Sequence, residues 1–314
     1  MERQLNAGGS PAVGMQVMSC PLCSDRTFAT LKEFSDGVLV GRCSACGMIY
    51  TPVQHEAPHD IFRTATEASV KAAALPWVDQ PDCHPRSANF EWYLDVVGRH
   101  RPAARTLLDV GCAHGFLGHA ASRRGLDVAV VEPSTAHAEF VARTFGFEVH
   151  NAPVGEVDLG SRTFDLITLT DALEYVIDPV ATVSRLARHL SETGVFFAKV
   201  PNARYFTLRN ALERRGGPSE HPEVGSFSPS RRIAHYDEAS LTRLCDSAGM
   251  RVIESGPALP IFGSGTGAGL KGRATRAAYG AHWRASRAEH RLFAQTGLAQ
   301  AIYVIAAPVD AGDR

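Results

Sequence analysis

Two features that would point to a membrane protein or a secreted protein are missing from the sequence. No uninterrupted apolar stretch approaches the roughly 18 residues that are needed to span a bilayer. The start of the chain, MERQLNAGGS, also lacks the continuous apolar segment of a secretory signal. We therefore expect a cytoplasmic protein without a membrane partner, whose seven cysteines are metal ligands or buried thiols rather than disulfides.

An excess of charge of one sign is missing as well. The chain carries 32 Lys and Arg against 33 Asp and Glu, which gives a formal net charge of -1. Proteins that act on nucleic acid usually show a strong basic excess, so a nucleic-acid partner is not expected. A composition of 45% hydrophobic and 21% charged residues over 314 positions is typical of a large globular domain with room for a small one.

Four of the cysteines form two CxxC pairs near the start of the chain. They are Cys20, Cys23, Cys43 and Cys46. Each pair puts two thiolates on one tight turn, and this separation of the pairs is typical of a zinc ribbon. A closed four-thiolate site has no open position for water, so we expect a structural Zn²⁺. The alternatives are a dithiol redox motif or four unrelated thiols.

Strands and helices alternate from about residue 86 onward. Seven short apolar runs predict strands: Thr106–Val110, Val128–Val131, Phe147–His150, Leu166–Leu169, Val195–Val200, Arg251–Glu254 and Ile302–Ala306. Helical stretches between most of them indicate an α/β fold with a Rossmann-like, doubly wound, mostly parallel seven-stranded sheet. We divide the chain into a flexible tail (1–17), the zinc ribbon (18–53), a linker (54–84) and this domain (85–310).

The loop after the first predicted strand has the pattern of a nucleotide-binding turn. It reads Leu-Leu-Asp-Val-Gly-Cys-Ala-His-Gly over residues 107–115. Gly111 and Gly115 allow a sharp turn and a close approach to a ligand. Glu132 ends the next strand, where a carboxylate can accept both ribose hydroxyls of an adenosine. Asp109 would repel a pyrophosphate, but it suits S-adenosylmethionine (SAM), which carries a sulfonium and an amino group.

These segments resemble class I SAM-dependent methyltransferases. Residues 107–115 look like motif I of that family, and further segments follow in the family's order: 132–134, 164–175, 195–202 and 236–241. The resemblance implies a methyltransferase with SAM as cofactor. It places eight residues around SAM. Near the methionine part are Asp109, Gly111, Cys112 and Gly115, and near the ribose are Glu132 and Pro133. Near the adenine or the sulfonium are Asn151 and Asp171. For Asp171, a helix N-cap is an equal alternative.

The resemblance leaves the catalytic base open. The family often has His directly after a Leu-Glu pair, whereas this chain has Tyr175 after Glu174. His235 is our first candidate for the base, although a structural role or a contact with substrate fits it too. Glu174 could contact substrate or anchor its loop, and Tyr175 could orient a substrate oxygen.

Two basic insertions, 203–232 and 256–298, are expected to form a substrate lid. Recognition of an acidic acceptor, carrying a carboxylate or linked to a nucleotide or carrier, would explain their arginines. The alternative explanation is a solvated helix face.

The zinc ribbon followed by such a domain resembles bacterial methyltransferases that act on sugars and other small metabolites. We therefore expect O- or C-methylation of a sugar-type or secondary-metabolite acceptor. The alternatives are an RNA methyltransferase that reads RNA with its ribbon, and a SAM-binding protein without activity. A homodimer is compatible with all three.

Overall fold

The computed structural model describes residues 15–34, 36–55, 65–216, 232–259, 270–293 and 296–309. The expected tail and the two expected insertions therefore lie partly outside the described residues. No helix among those ranges is both long enough and apolar enough to cross a membrane.

The N-terminal module is a small antiparallel sheet. Its strands are β1 (Met15–Val17), β2 (Phe28–Glu33), β3 (Leu39–Cys43) and β4 (Ile49–His55), in the order β1-β4-β3-β2. The sequence places the three residues of β1 in the expected flexible tail (1–17). The structure corrects this boundary, because Met15 is buried and β1 pairs antiparallel with β4.

The large sheet has the seven predicted strands. They are β5 (Thr106–Val110), β6 (Asp127–Val131), β7 (Glu148–His150), β8 (Phe164–Thr170), β9 (Leu190–Pro201), β11 (Met250–Pro257) and β12 (Ala301–Pro308). Their order is β11-β12-β9-β8-β5-β6-β7. All pairs among β5 to β9 are parallel, and only β12 runs antiparallel to its neighbours. The predicted Rossmann-like fold is confirmed.

Eight described helices connect or cover the strands. They are α1 (Glu67–Val78), α2 (Ser87–His100), α3 (Phe116–Arg123), α4 (Thr135–Phe145), α5 (Pro179–Ala187), α6 (Ala203–Gly216), α7 (Glu238–Ser247) and α8 (Leu270–Phe293), with 3-10 turns at Pro81–Cys83 and Leu173–Tyr175. Local sequence explains several starts: the side chains of Ser134, Asp178 and Asp237 accept backbone N–H groups at the first turns of α4, α5 and α7.

The small sheet is joined to the large domain by a short strand, β10 (Ala234–His235). This strand pairs antiparallel with β4, so that a segment of the second domain extends the sheet of the first. Tyr50 of β4 and Tyr236 after β10 are both fully buried in one continuous apolar cluster that also contains Cys20. The cysteine module therefore packs on the α/β domain.

Candidate metal centre and active site

The two CxxC pairs meet at one point. All four Sγ atoms lie within 4.8 Å of one another, with 3.5 Å between Cys20 and Cys46 and 3.5 Å between Cys23 and Cys43. A tetrahedral Zn²⁺ with bonds of about 2.3 Å places its sulfur ligands about 3.8 Å apart. Gly47 has φ +77° after the second pair, a conformation that favours glycine. The donor set fits Zn²⁺.

The metal assignment predicts that Cys20→Ser loses zinc. Burial raises the pKa of the Cys20 thiol, so a cation is needed to hold Cys20 as a thiolate. We expect about one zinc per chain in the purified protein and little in the variant, measured by elemental analysis. The matched control is Cys83→Ser, because Cys83 is an exposed cysteine outside the cluster. Purified wild-type protein without zinc would contradict the assignment.

The loop after β5 turns sharply beneath the 3-10 turn that follows β8. Gly111 has φ +75°, and a Cβ atom there would lie 2.8 Å from the Cβ of Ala172. Its N–H donates to the carbonyl of Val131 at 2.8 Å, and Cys112 is buried beside it. Gly115 stands immediately before α3. The backbone therefore makes the close turn that the glycines predicted.

Glu132 connects this loop to the end of β6. One carboxylate oxygen accepts the N–H of Ala113 at 2.9 Å, and the other accepts the N–H of Ser134 at 2.9 Å. Pro133 stands between Glu132 and Ser134 in the chain. The side chain of Asn151 donates to the Glu132 carbonyl at 2.8 Å. These contacts fix the Glu132 carboxylate at the carboxyl end of the sheet, while each oxygen keeps a free lone pair for a ribose hydroxyl.

Asp109 and Glu132, two buried carboxyl groups at the carboxyl end of the sheet, have raised pKa values. Burial raises the pKa of Asp109 to about 6, although a hydrogen bond from the Thr168 hydroxyl, at 2.8 Å, lowers it. Burial raises the pKa of Glu132 to about 7 against the effect of its two backbone donors. Neither forms an ion pair within the described part of the chain. A site with buried, uncompensated acids fits a cationic ligand such as SAM.

Asp171 lies in a cluster of charges that the sequence alone did not predict. Its oxygens lie 2.5 Å from Lys199 Nζ and 2.7 Å from Arg86 Nη2. The two cations hold the pKa of Asp171 below its usual range despite burial, and Asp171 holds that of Lys199 above its usual range. Asp171 has φ +56° and starts no helix, so the N-cap alternative is wrong. The one available signal was Lys199 itself, a lysine inside an apolar run.

Glu174 is the most unusual carboxyl group near this cluster. It is 2% exposed, and its Oε2 has no hydrogen-bond partner among the described residues. Its Oε1 lies 3.9 Å from Arg232 Nε. Burial and the charge of Asp171 raise the pKa of Glu174 to about 7. Tyr175, half-buried beside it, also has a raised pKa because of burial and the neighbouring Glu174 carboxyl.

His235, our first candidate for the base, is placed differently. It lies in β10, where it pairs with Ile49 of the small sheet, and it is 6% exposed. Burial and the charge of Arg232 lower the pKa of His235 to about 3. An imidazole with so low a pKa accepts a proton poorly near neutral pH. With a pKa of about 7, the carboxyl group of Glu174 is better suited than this imidazole to accept a proton near neutral pH.

The second basic insertion contributes to a cavity of about 320 Å³ between α2 and α8, whose lining includes none of the candidate active-site residues. Arg287, His290 and Arg291 of α8 line it, together with Trp92 and Tyr303. Residues 260–269 of that insertion, and 217–231 of the first, lie outside the described residues. From the first insertion, Arg232 reaches the candidate active site.

A family model described as a methyltransferase domain matches residues 84–255, which is more than half of the chain. The ubiquinone biosynthesis O-methyltransferase of Alkalilimnicola ehrlichii is 33% identical over 137 residues, or 40% of this chain and 55% of that protein. The chain thus spans about half the length of this relative. The enzyme of the same name from Bordetella avium is 29% identical over 209 residues, or 60% of this chain and 83% of that protein.

Among solved structures, the plantazolicin methyltransferase BamL in complex with a desmethyl analogue and S-adenosylhomocysteine (SAH) has a TM-score of 0.50. It is 13% identical and covers 79% of this chain and 92% of its own. At this identity the similarity concerns the fold alone.

Proposed function

Since the chain belongs to the family of SAM-dependent methyltransferases, we propose that it methylates an oxygen atom of a small molecule, with Glu174 as the base. When bound, SAM supplies an electrophilic methyl group and an excellent leaving group. The residues of this chain must then bind SAM, align the acceptor and remove the hydroxyl proton. Asp109 and Glu132 would hold the cofactor.

The observation that carries this proposal is the unpartnered oxygen of Glu174. A base must be deprotonated at working pH and still bind a proton readily, which requires a pKa near 7. Glu174 has such a pKa, about 7, and its Oε2 has no hydrogen-bond partner in the described structure. Because Glu174 is 2% exposed, an acceptor hydroxyl would have to displace the groups that cover it in order to supply that partner. Its proton would pass to Glu174 as the new carbon–oxygen bond forms.

The charges around Glu174 favour an acceptor that carries an acidic group. In the described part of the chain, three cationic side chains, Arg86, Lys199 and Arg232, form ion pairs with two carboxyl groups, those of Asp171 and Glu174. When Glu174 has taken up a proton, the cluster carries an excess of positive charge. An anionic acceptor, or the alkoxide character that develops during transfer, would be stabilised there. The names of the two relatives as O-methyltransferases agree with oxygen as the acceptor atom.

The zinc ribbon is proposed to be structural. Four thiolates complete a tetrahedral shell around Zn²⁺, so no position is left open for a substrate or for water. The ion would tie together the two turns that carry the cysteines, and its binding energy would contribute to folding.

The acceptor class can be tested with a panel of acceptors and a measurement of SAH release. We expect methyl transfer to 3,4-dihydroxybenzoate or another hydroxylated acid, slower transfer to catechol, and none to RNA. Mass spectrometry of the product would locate the methyl group on oxygen. A product methylated on carbon, or transfer to RNA alone, would contradict the proposal.

The rate of methyl transfer should depend on pH because the carboxyl group of Glu174 must be ionised to accept a proton. Its pKa is raised to about 7, so the carboxylate that accepts the proton is lost as the pH falls through 7. We expect kcat to rise to a plateau above pH 7. The measurement needs saturating SAM, because Glu132 also has a pKa of about 7 and its protonation would weaken SAM binding. A kcat that stays constant from pH 5 to 8 would exclude a base of this kind.

A further inference from the structure

Thr51, in strand β4 of the zinc ribbon, binds a segment that belongs to the other domain. Its hydroxyl donates to the carbonyl of Arg232 at 2.6 Å, and its N–H donates to the carbonyl of Ile233 at 2.9 Å. Thr51 is completely buried. The ribbon thus fixes two consecutive peptide groups immediately before β10.

The same segment contacts Glu174 from its other side. The N–H of Ile233 donates to the Glu174 carbonyl at 2.9 Å, and Arg232 Nε lies 3.9 Å from Glu174 Oε1. Further along, the carbonyl of Tyr236 accepts the N–H of Ala203 at 2.7 Å. Residues 232–236 therefore lie between the ribbon and the candidate acceptor site, with hydrogen bonds to both.

We propose that the zinc ribbon is a positioning element of the acceptor site, in which Thr51 fixes the backbone of Arg232 and so keeps its guanidinium beside Glu174. The importance of this contact for catalysis rests on the proposed function of Glu174. Thr51 contacts neither cofactor nor acceptor, so it is a positioning residue and acts through Arg232.

The groups that face Glu174 determine the direction of the effect. Burial and the charge of Asp171 raise the pKa of Glu174, whereas the charges of Arg232 and Lys199 lower it. Tyr175 and Tyr236 also interact with Glu174, and burial keeps both phenols neutral by raising their pKa values. His235, next to the segment, is neutral because its pKa is lowered to about 3. If Arg232 moves away, the pKa of Glu174 must rise.

The variant that tests the proposal is Thr51→Val, which removes the hydroxyl but keeps the shape and the N–H. The infrared carboxyl band of Glu174, identified by its loss in Glu174→Gln, can be titrated without an acceptor. We expect a midpoint near pH 7 in the wild type. In Thr51→Val the midpoint should be higher by about half a pH unit or more, while Thr51→Ser, which keeps the hydroxyl, should match the wild type.

A control within the ribbon separates this effect from general loosening. The hydroxyl of Thr30, in the outer strand β2, has no hydrogen-bond partner among the described residues. Thr30→Val should therefore leave the midpoint unchanged. Hydrogen exchange gives a second measurement: amides 232–236 should exchange about tenfold faster in Thr51→Val, whereas those of β5 and the affinity for SAM should stay the same.

A double-mutant cycle decides whether Thr51 acts through Arg232. Arg232→Gln should raise the midpoint by itself, and adding Thr51→Val to it should have no further effect. An unchanged midpoint in Thr51→Val, or an equal rise in the presence and absence of Arg232, would overturn the proposal. A wild-type Glu174 that shows no titration near pH 7 would instead refute its assignment as the base, so the two failures are distinguishable.

Discussion

Asp109→Asn is expected to weaken SAM binding by about 10- to 150-fold and to leave the fold intact. Asn keeps the shape and can still accept the hydrogen bond from Thr168 that holds the side chain. It lacks the buried negative charge that would face the cationic groups of SAM, and a charged hydrogen bond in a buried site contributes about 1.5–3 kcal/mol. Calorimetric titration with SAM measures the loss directly.

The same variant should be no less stable than the wild type without ligand. The pKa of Asp109 is raised from 3.8 to about 6, so the folded state binds this proton more tightly than the unfolded state does. The ionised side chain therefore destabilises the fold by up to about 3 kcal/mol above pH 6. Thermal unfolding of apo Asp109→Asn at pH 7 should show an equal or higher Tm, and added SAH should no longer raise it.

Asp127→Asn is the matched control, since Asp127 is an exposed carboxylate at the opposite end of the adjacent strand β6. It should bind SAM like the wild type. If Asp109→Asn bound SAM with unchanged affinity, the cofactor would not lie at the β5 loop, and the assignment of Gly111 and Glu132 would be wrong as well.

Glu174→Gln is expected to lower kcat by about 100- to 10,000-fold, the usual contribution of a general base. SAM affinity should change by less than about twofold, because the carboxyl group is assigned to the acceptor side of the site. The amide is nearly isosteric and replaces a group that is protonated about half of the time at pH 7, so the fold should persist. Single-turnover measurements with saturating SAM separate chemistry from product release.

Two comparisons make this result interpretable. Glu192→Gln changes an exposed carboxylate in the first residues of β9 and should be fully active. His235→Ala tests the alternative base. A large loss of turnover in His235→Ala together with retained turnover in Glu174→Gln would reverse our assignment of the base.

The sequence was sufficient where local pattern determines local structure. Each of the seven strands of the large sheet was recognisable as a β-branched apolar run. Gly111 after β5 and Glu132 after β6 were recognisable from the number of residues between them. The cysteine pairs could be assigned to one cluster for the same reason, since two turns with fixed spacing leave few ways to arrange four thiols.

The remainder depends on contacts between residues that are far apart in the chain. Arg86 and Lys199 meet at Asp171, and no local pattern relates them. Strand β10 has two residues and no periodicity, so its pairing with the ribbon became visible only in three dimensions. Burial also distinguishes Glu174 from His235 in a way that the sequence does not show, because it raises the pKa of the carboxyl group to about 7 and lowers that of the imidazole to about 3.

The most direct test of the central claim is a crystal structure of the protein with SAH. In that structure the SAH amino group should lie beside Asp109, the ribose hydroxyls should be bound by Glu132, and the sulfur should lie on the side of the site where Glu174 stands. SAH bound elsewhere would contradict the assigned cofactor site, and a sulfur atom on the side of the domain away from Glu174 would contradict its role as the base.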